Sequence, residues 1–349
     1  MGRSKAAPAR RDELPAPPPK RSRVDGRIVG IDLGLAQRQG LRYAACEDRA
    51  FKSRERFESA SSGVCVVGVL DGHRGAACAE FAARELPRRL LADRRCEGPD
   101  AGQALRDSFA AADDQFLASD AGASNAGACA LVALIRTPPS TDEDGAAGPP
   151  ELVIASAGDC RALALDDDAG ARRLTTDHSP DLPCERARIE AAGGFVMSDE
   201  GCWRVGVLPP AMCAAVREDD DAPRTVNLLA ASRCLGDRDF KASGAPVLTC
   251  APDVATFAPS ARSRFVLLAS DGVFEALSDE QACAVARAAL DDGRAPADAA
   301  ESVVDTAARA GSTDDITAMV LVFRREPPKP GPALPEEGEA PRASPREDA

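Results

Sequence analysis

The sequence predicts an α+β fold in which antiparallel sheets are covered by helices. Three observations predict it. Apolar, β-branched runs outnumber helical repeats. The helical repeats come in pairs between groups of strands, unlike regular βαβ alternation. Two apolar runs also stop at an acid followed by glycine: Val66-Val67-Gly68-Val69-Leu70 ends in Asp71-Gly72-His73-Arg74-Gly75, and Phe265-Val266-Leu267-Leu268-Ala269-Ser270 ends in Asp271-Gly272. Each reads as a buried strand that delivers a carboxylate to the end of a sheet. Asp-Gly alone is ordinary turn chemistry, so the recurrence carries the weight.

Taken in order, Met1 to Gly26 is basic, Pro-rich and without periodicity, which predicts a disordered tail. Gly40 to Phe51 reads as a strand interrupted by Glu47-Asp48. After Gly75, Ala79, Ala82, Leu86 and Leu90 recur at helical spacing, and Pro87 is expected to kink or split that helix. Leu105, Phe109, Ala112 and Phe116 give an amphipathic helix. Ala130–Ile135 and Leu152–Ala157 read as a hairpin with a long polar loop. Gly158-Asp159-Cys160-Arg161 turns tightly into Ala162–Leu165.

A short helix is expected between Pro183 and Gly193-Gly194, because proline suits a helix start and glycine a position just past its end. Residues 197–225 read as irregular, with strands resuming at Leu228–Ser232 and Arg264–Ser270. Ser278 and Gln281 form a capping box for a helix through Leu290. A last helix ends near Gly311, and Ile316–Phe323 closes the chain's folded part. Residues 326–349 read as a second, Pro/Glu-rich disordered tail. Between the tails, 27–325 reads as one domain with no internal repeat.

Composition limits the function classes. The 349 residues are 44% hydrophobic but only 4% aromatic, so Ala, Val and Leu must fill the core. A net charge of −13 argues against nucleic-acid or membrane-surface binding. The 12 cysteines include no CxxC pair, and with only two histidines a Cys/His zinc site has little support. Reduced, partly buried thiols fit an intracellular protein, cytoplasmic or nuclear. No apolar run reaches the roughly 18 residues of a membrane span. A monomer is expected.

Seven acids sit at strand ends or in tight turns: Glu47, Asp48, Asp71, Asp159, Asp271, Asp314 and Asp315. Each adjoins an apolar run that carries it to the end of a sheet. Oxygen ligands without usable nitrogen or sulfur favour a hard ion such as Mg²⁺ or Mn²⁺. Two such ions about 4 Å apart, sharing a carboxylate and a water, generate a hydroxide that attacks phosphorus without a covalent intermediate. His73 reads equally as a general acid for the leaving alkoxide or as a structural turn histidine.

At these residues the sequence resembles the metal-dependent protein phosphatases of the PPM class, the type 2C serine/threonine phosphatases. Eight blocks occur in family order over roughly 40 to 323: Cys46-Glu47-Asp48, Asp71-Gly72-His73-Arg74-Gly75, Ser156-Ala157-Gly158-Asp159-Cys160-Arg161, Leu174-Thr175-Thr176-Asp177-His178-Ser179-Pro180, Arg188-Ile189-Glu190-Ala191-Ala192-Gly193-Gly194, Ser232-Arg233-Cys234-Leu235-Gly236-Asp237, Ala269-Ser270-Asp271-Gly272 and Gly311-Ser312-Thr313-Asp314-Asp315-Ile316-Thr317. The resemblance implies an α-β-β-α layered sandwich of two central antiparallel sheets flanked by helices, with metals in a cleft at one end. It implies hydrolysis of phosphoserine and phosphothreonine on phosphoprotein substrates, with two Mg²⁺ or Mn²⁺ ions and a weaker third.

Residue by residue, the resemblance implies that Asp71 bridges both metals. Glu47 and the Gly72 carbonyl complete one ion, Asp271 and Asp314 hold the other, and Asp48 acts through bound water. Asp159, Asp271 and Glu275 make the third site. His73 is implied as the general acid and Arg42 as the phosphate-binding arginine. The sequence departs from the family at several points. Tyr43 holds the usual arginine position, with Arg42 one residue further back. Arg74 stands where a second glycine is usual, Asp315 replaces asparagine, Glu275 replaces aspartate, and Asn227 stands where glycine is common. A catalytically inactive scaffold or regulatory protein of the same fold is the rival reading. A phosphoesterase for small molecules is a further one. The acidic run at Glu218–Asp221 reads either as a solvated loop or as a preference for basic phosphopeptides.

Overall fold

The computed structural model describes residues 26–60, 63–138, 148–199, 201–207, 227–241 and 246–326. The two terminal tails expected from sequence lie outside these residues, apart from Gly26 and Glu326 at their edges, and so does the acidic run at 218–221.

One six-stranded sheet runs β3 (Arg56–Glu58), β1 (Ile28–Arg38), β15 (Ile316–Arg325), β14 (Ser263–Ala269), β7 (Arg161–Asp166) and β8 (Gly170–Arg173). The facing sheet runs β13 (Asp253–Phe257), β6 (Glu151–Ala157), β5 (Gly127–Arg136), β4 (Cys65–His73) and β2 (Arg49–Lys52), with β12 (Leu235–Gly236) paired to β5. All strand pairings within both sheets are antiparallel. A small third sheet joins β9 (Phe195–Asp199), β10 (Cys202–Val207) and β11 (Asn227–Leu229).

Strand parity explains the layers. On β4, Val67 and Val69 enter the cluster between the sheets, with Leu131 and Ala133 of β5 and Met319 and Leu321 of β15. Val66 and Leu70 face the other way, into a second cluster with Leu86 and Phe109. These come from helices α1 (Ala77–Ala92) and α2 (Ala101–Ala118). On β14, Val266 and Leu268 turn inward while Phe265 and Leu267 meet Val303 and Ala286 from helices Pro296–Arg309 and Asp279–Asp291. Strands buried on both faces read as continuous apolar runs rather than alternating ones. The result is the four-layer α-β-β-α sandwich.

Several local expectations change. The first strand is Ile28–Arg38, and residues 40–48 form a loop rather than a strand. Loop backbone is held by long-range bonds instead: Leu41 and Arg42 both donate N–H to the Thr313 carbonyl, at 2.8 and 3.0 Å. Helix α1 runs unbroken through Pro87, with Leu86 and Leu90 fully buried on either side. Burial of that face outweighs the lost backbone bond. Of the stretch 197–225 read as irregular, residues 197–199 and 202–207 lie in β9 and β10, and residues 208–225 lie outside the described residues. The 278–281 capping box forms as expected, with the Gln281 amide donating to the Ser278 hydroxyl at 3.2 Å.

Candidate active site

Parity also places the acids. Asp71 shares the inward face of β4 with Val67 and Val69, and therefore lies between the two sheets at their end. Ser270 follows the inward Leu268 of β14, and Thr317 precedes the inward Met319 of β15. The result is one carboxylate-rich end of the sandwich, drawn from both sheets.

Asp71 and Asp271 bring two carboxyls together at this end. Burial pushes the Asp71 carboxyl well above its usual value, and the charges of Asp271, Asp48 and Asp159 push it further. Asp271 moves the same way, through burial and then Asp159 and Asp314. A cluster of buried like charges disfavours ionisation of each member. Asp314 is also raised, chiefly by burial. Asp159 sits in the turn between β6 and β7, where the chain crosses from one sheet to the other.

Asp48 is 1% exposed and lies beneath this cluster. Its Oδ2 accepts from the Ser270 hydroxyl at 2.9 Å and the Thr317 hydroxyl at 2.7 Å. Burial lifts its pKa to about 7 although those two hydroxyls pull it down. Asp315 is buried too, and both its oxygens accept backbone amides: Gly40 at 2.7 Å and Glu47 at 2.6 Å. Two acceptors are needed there, and an asparagine has only one on its side chain. Asp315 therefore fixes the 40–47 loop.

Glu47 carries a buried Oε2 with no hydrogen-bond partner among the described residues. Such an atom is costly unless something else satisfies it. A Cβ on Gly72 would lie 2.2 Å from the Glu47 carbonyl oxygen, so only glycine allows this approach of the two chains. The orphaned oxygen, the glycine cradle and an all-oxygen set of mutually repelling acids fit a hard divalent cation. Asp71, Asp271, Asp314, Asp48 and Asp159 are brought into mutual electrostatic range, with Glu47 and Gly72 adjoining.

His73 lies at the end of β4, and its Nε2 is 2.7 Å from Asp237 Oδ2. Asp237 is fully buried at φ +53°, in left-handed backbone rare for a residue other than glycine. Burial works to raise its pKa, yet the carboxyl stays below the usual range because His73, by charge and hydrogen bond, and then Cys234 and Lys241 together outweigh it. Cys234 Sγ donates to the same oxygen at 3.0 Å, and Arg74 Nη1 to the other at 3.1 Å. Gly127 on β5 makes room for the pair. A Cβ there would lie 1.9 Å from Asp237 Oδ2 and 2.3 Å from His73 Nε2.

Sequence reading assigned Asp237 no role. The Ser232–Asp237 block was visible, but a pairing across 164 positions leaves no local signature. The second histidine, His178, is elsewhere: it is 2% exposed, with Nδ1 3.1 Å from the Gly158 carbonyl.

Arg74, at φ +60°, is occupied away from the acids. Its two terminal nitrogens grip Asp239 at 2.9 and 2.8 Å, and Asn227 donates to Asp239 at 2.6 Å. Arg42 stands at the acid cluster. It pairs with Asp314 through Nη1 and with Glu275 through Nη2, the latter at 2.8 Å. Glu275 thus faces Arg42.

Residues 32–316 match the sequence model of the family described as Protein phosphatase 2C. The chain is similar to "Probable protein phosphatase 2C 32" of Oryza sativa subsp. japonica, 32% identical over 269 residues covering 75% of this chain and 58% of that protein. It is also 32% identical to "Probable protein phosphatase 1N" of Mus musculus, over 85% of this chain and 68% of that one. The chain spans 58% of the length of a third relative, "Probable protein phosphatase 2C 2" of Arabidopsis thaliana. Among solved structures, the serine-threonine phosphatase 2C from Toxoplasma gondii superposes with a TM-score of 0.65 at 22% identity, covering 86% of this chain and 98% of that one. This last likeness carries the fold. The matched stretch takes in the whole acid cluster from Glu47 to Asp315, and the chain belongs to the protein phosphatase 2C family.

Proposed function

We propose that this chain is a metal-dependent protein phosphatase that hydrolyses phosphoserine and phosphothreonine on proteins, with Mg²⁺ or Mn²⁺ as its cofactor. One observation carries the reading: the Asp71–Asp271 carboxyl pair, surrounded by Asp48, Asp159 and Asp314, next to the unsatisfied Glu47 oxygen. Such a set repels itself unless a cation neutralises it. Family membership supports the phosphatase assignment.

In this reading Asp71, Glu47, the Gly72 carbonyl, Asp271 and Asp314 are the groups that would hold the ions. Bound there, the ions would supply charge neutralisation for phosphoryl oxygens and activation of water near neutral pH. The chain's own residues do the rest. Asp48, tied to Ser270 and Thr317, holds polar groups beneath the ligands and lends them an outer-shell acceptor. Arg42 offers guanidinium donors to the phosphoryl oxygens. His73, oriented by Asp237, gives a proton to the departing serine or threonine oxygen. The third ion place implied at Asp159, Asp271 and Glu275 is taken up below. A catalytic unit spanning 27–325 and an intracellular location belong to the same proposal, the latter supported by the buried free thiols.

The test is hydrolysis of a phosphothreonine peptide with Mn²⁺, with EDTA, and by Asp71→Ala. Turnover that needs Mn²⁺ and vanishes in the variant is expected. EDTA-resistant turnover contradicts the metal assignment. A folded, Mn²⁺-binding protein without turnover supports the scaffold reading instead.

A further inference from the structure

Two of the chain's departures from its family meet each other in space. Arg42 stands one residue further from Glu47 than the usual arginine, and Glu275 is one methylene longer than the usual aspartate. Arg42 Nη2 donates to Glu275 Oε1 at 2.8 Å. The other glutamate oxygen, Oε2, lies 3.5 Å from the Ser312 hydroxyl. One Glu275 oxygen is thus committed to Arg42, and the other faces the Ser312 hydroxyl.

The arginine is anchored at its root as well. Its backbone N–H and that of Leu41 both reach the Thr313 carbonyl, and Nη1 pairs with Asp314. Its side chain nevertheless keeps 42% exposure, which leaves a face open to a ligand. A planar guanidinium has five donors in a fixed fork, so two carboxylates on one side leave others for an oxyanion. Held only at Asp314, a long exposed side chain would keep much of its rotamer freedom. Two carboxylates from different elements, Asp314 before β15 and Glu275 after the one-turn helix Asp271–Phe274, fix its plane.

We propose that Glu275 is a positioning residue for Arg42, aiming the guanidinium at the substrate phosphoryl group, and does not serve as a ligand for a third metal. The extra methylene fits this role. It carries the carboxylate out to an arginine that the longer Arg42–Glu47 spacing has displaced. This inference rests on the reading of Arg42 as the phosphate binder.

Inorganic phosphate and Mn²⁺ are the probes, used with the full chain, Arg42→Ala, Glu275→Ala, Glu275→Asp and the Arg42→Ala/Glu275→Ala double variant. Inhibition by phosphate reads Arg42, and calorimetric Mn²⁺ titration counts ions. Expected is phosphate inhibition weaker by about 10-fold or more in Arg42→Ala and in both Glu275 variants, as for loss of a hydrogen bond to a charged group. The double variant should be no weaker than Arg42→Ala alone, and the Mn²⁺ count should be unchanged in every Glu275 variant. Glu275→Asp is diagnostic: a metal ligand would tolerate the family's own residue, whereas a carboxylate that must reach Arg42 would not. Loss of an ion in Glu275→Ala that Glu275→Asp restores would overturn the proposal. So would normal phosphate inhibition in the Glu275 variants beside weakened inhibition in Arg42→Ala, which leaves the Arg42 reading standing. Normal inhibition in Arg42→Ala itself would remove that reading and the proposal with it.

Discussion

Gly127→Ala tests the His73–Asp237 pair without altering either charge. The added Cβ would lie 1.9 Å from Asp237 Oδ2 and 2.3 Å from His73 Nε2, between groups now 2.7 Å apart. Contacts that short cannot persist, so the two side chains must part by about 1 Å, enough to break a hydrogen bond. Overpacking of this kind costs about 1–3 kcal/mol of stability, which a folded domain can absorb and circular dichroism can check. Loss of a positioned general acid costs about 10²–10⁴-fold in rate. That loss should depend on the leaving group. A phosphothreonine peptide expels an alkoxide that needs a proton, whereas p-nitrophenyl phosphate expels a stable phenolate that does not. The expected result is a fall in kcat of at least about 100-fold on the peptide and a much smaller fall on the aryl ester. Equal losses on both substrates would refute the general-acid role and make His73 the structural turn histidine.

Three further outcomes follow from the same geometry. Glu185, 2% exposed, is gripped by Arg233 at 2.7 Å, Arg188 at 2.9 Å and Ser232 at 2.9 Å. Although burial opposes it, these partners lower its pKa from 4.5 to about 2. A depressed acid contributes stability above its unfolded value that is lost as pH falls through the folded one, here about 3 kcal/mol between pH near 4.5 and 2. Urea unfolding of Glu185→Gln should show a deficit of about 3–5 kcal/mol at pH 7 that shrinks toward pH 2, and a pH-independent deficit would count against it. Asp71 has the opposite sign: its raised carboxyl makes the metal-free protein lose stability as pH rises above 3.8. Asp71→Asn should therefore raise the melting temperature in EDTA while abolishing the rise that Mn²⁺ gives the parent, about 2.7 kcal/mol at 100-fold excess over Kd. An Mn²⁺ response that survives in the variant would show that the ions bind elsewhere. Gly72→Ala, whose Cβ would meet the Glu47 carbonyl at 2.2 Å, should lower Mn²⁺ affinity by at least about 10-fold, and unchanged affinity in a folded variant would remove Gly72 from the site.

What the sequence disclosed depended on how local the signal was. Asp71 and Asp271 were legible because each follows a contiguous apolar run; parity fixes the inward face of Asp71, whereas Asp271 lies past the end of β14 and opens the helix Asp271–Phe274. Helix-covered antiparallel sheets were legible from the number and grouping of strands and helices, whereas the two-sheet sandwich came from the resemblance. Strand β1 was not, because Gly30, Gly34 and Asp32 interrupt its apolar pattern and its pairing with β15 supplies the order. Of the kink or split that Pro87 signalled, the split does not occur, because burial of Leu86 and Leu90 holds the helix together. The roles of Asp237 and Asp315 depend on partners 164 and 268 or more positions away, and no spacing rule reaches that far. Arg42 was marked by resemblance, but its pairing with Glu275 came only from the fold.

The central claim is that the acids at the sheet ends hold two divalent ions around Asp71. Anomalous diffraction at the manganese edge, from crystals grown with Mn²⁺, tests it most directly. The account predicts two peaks about 4 Å apart. One should lie beside Glu47 and the Gly72 carbonyl, the other beside Asp271 and Asp314, with Asp71 touching both. Manganese absent from these acids, or found instead at the neighbouring His73–Cys234–Asp237 group, would contradict it.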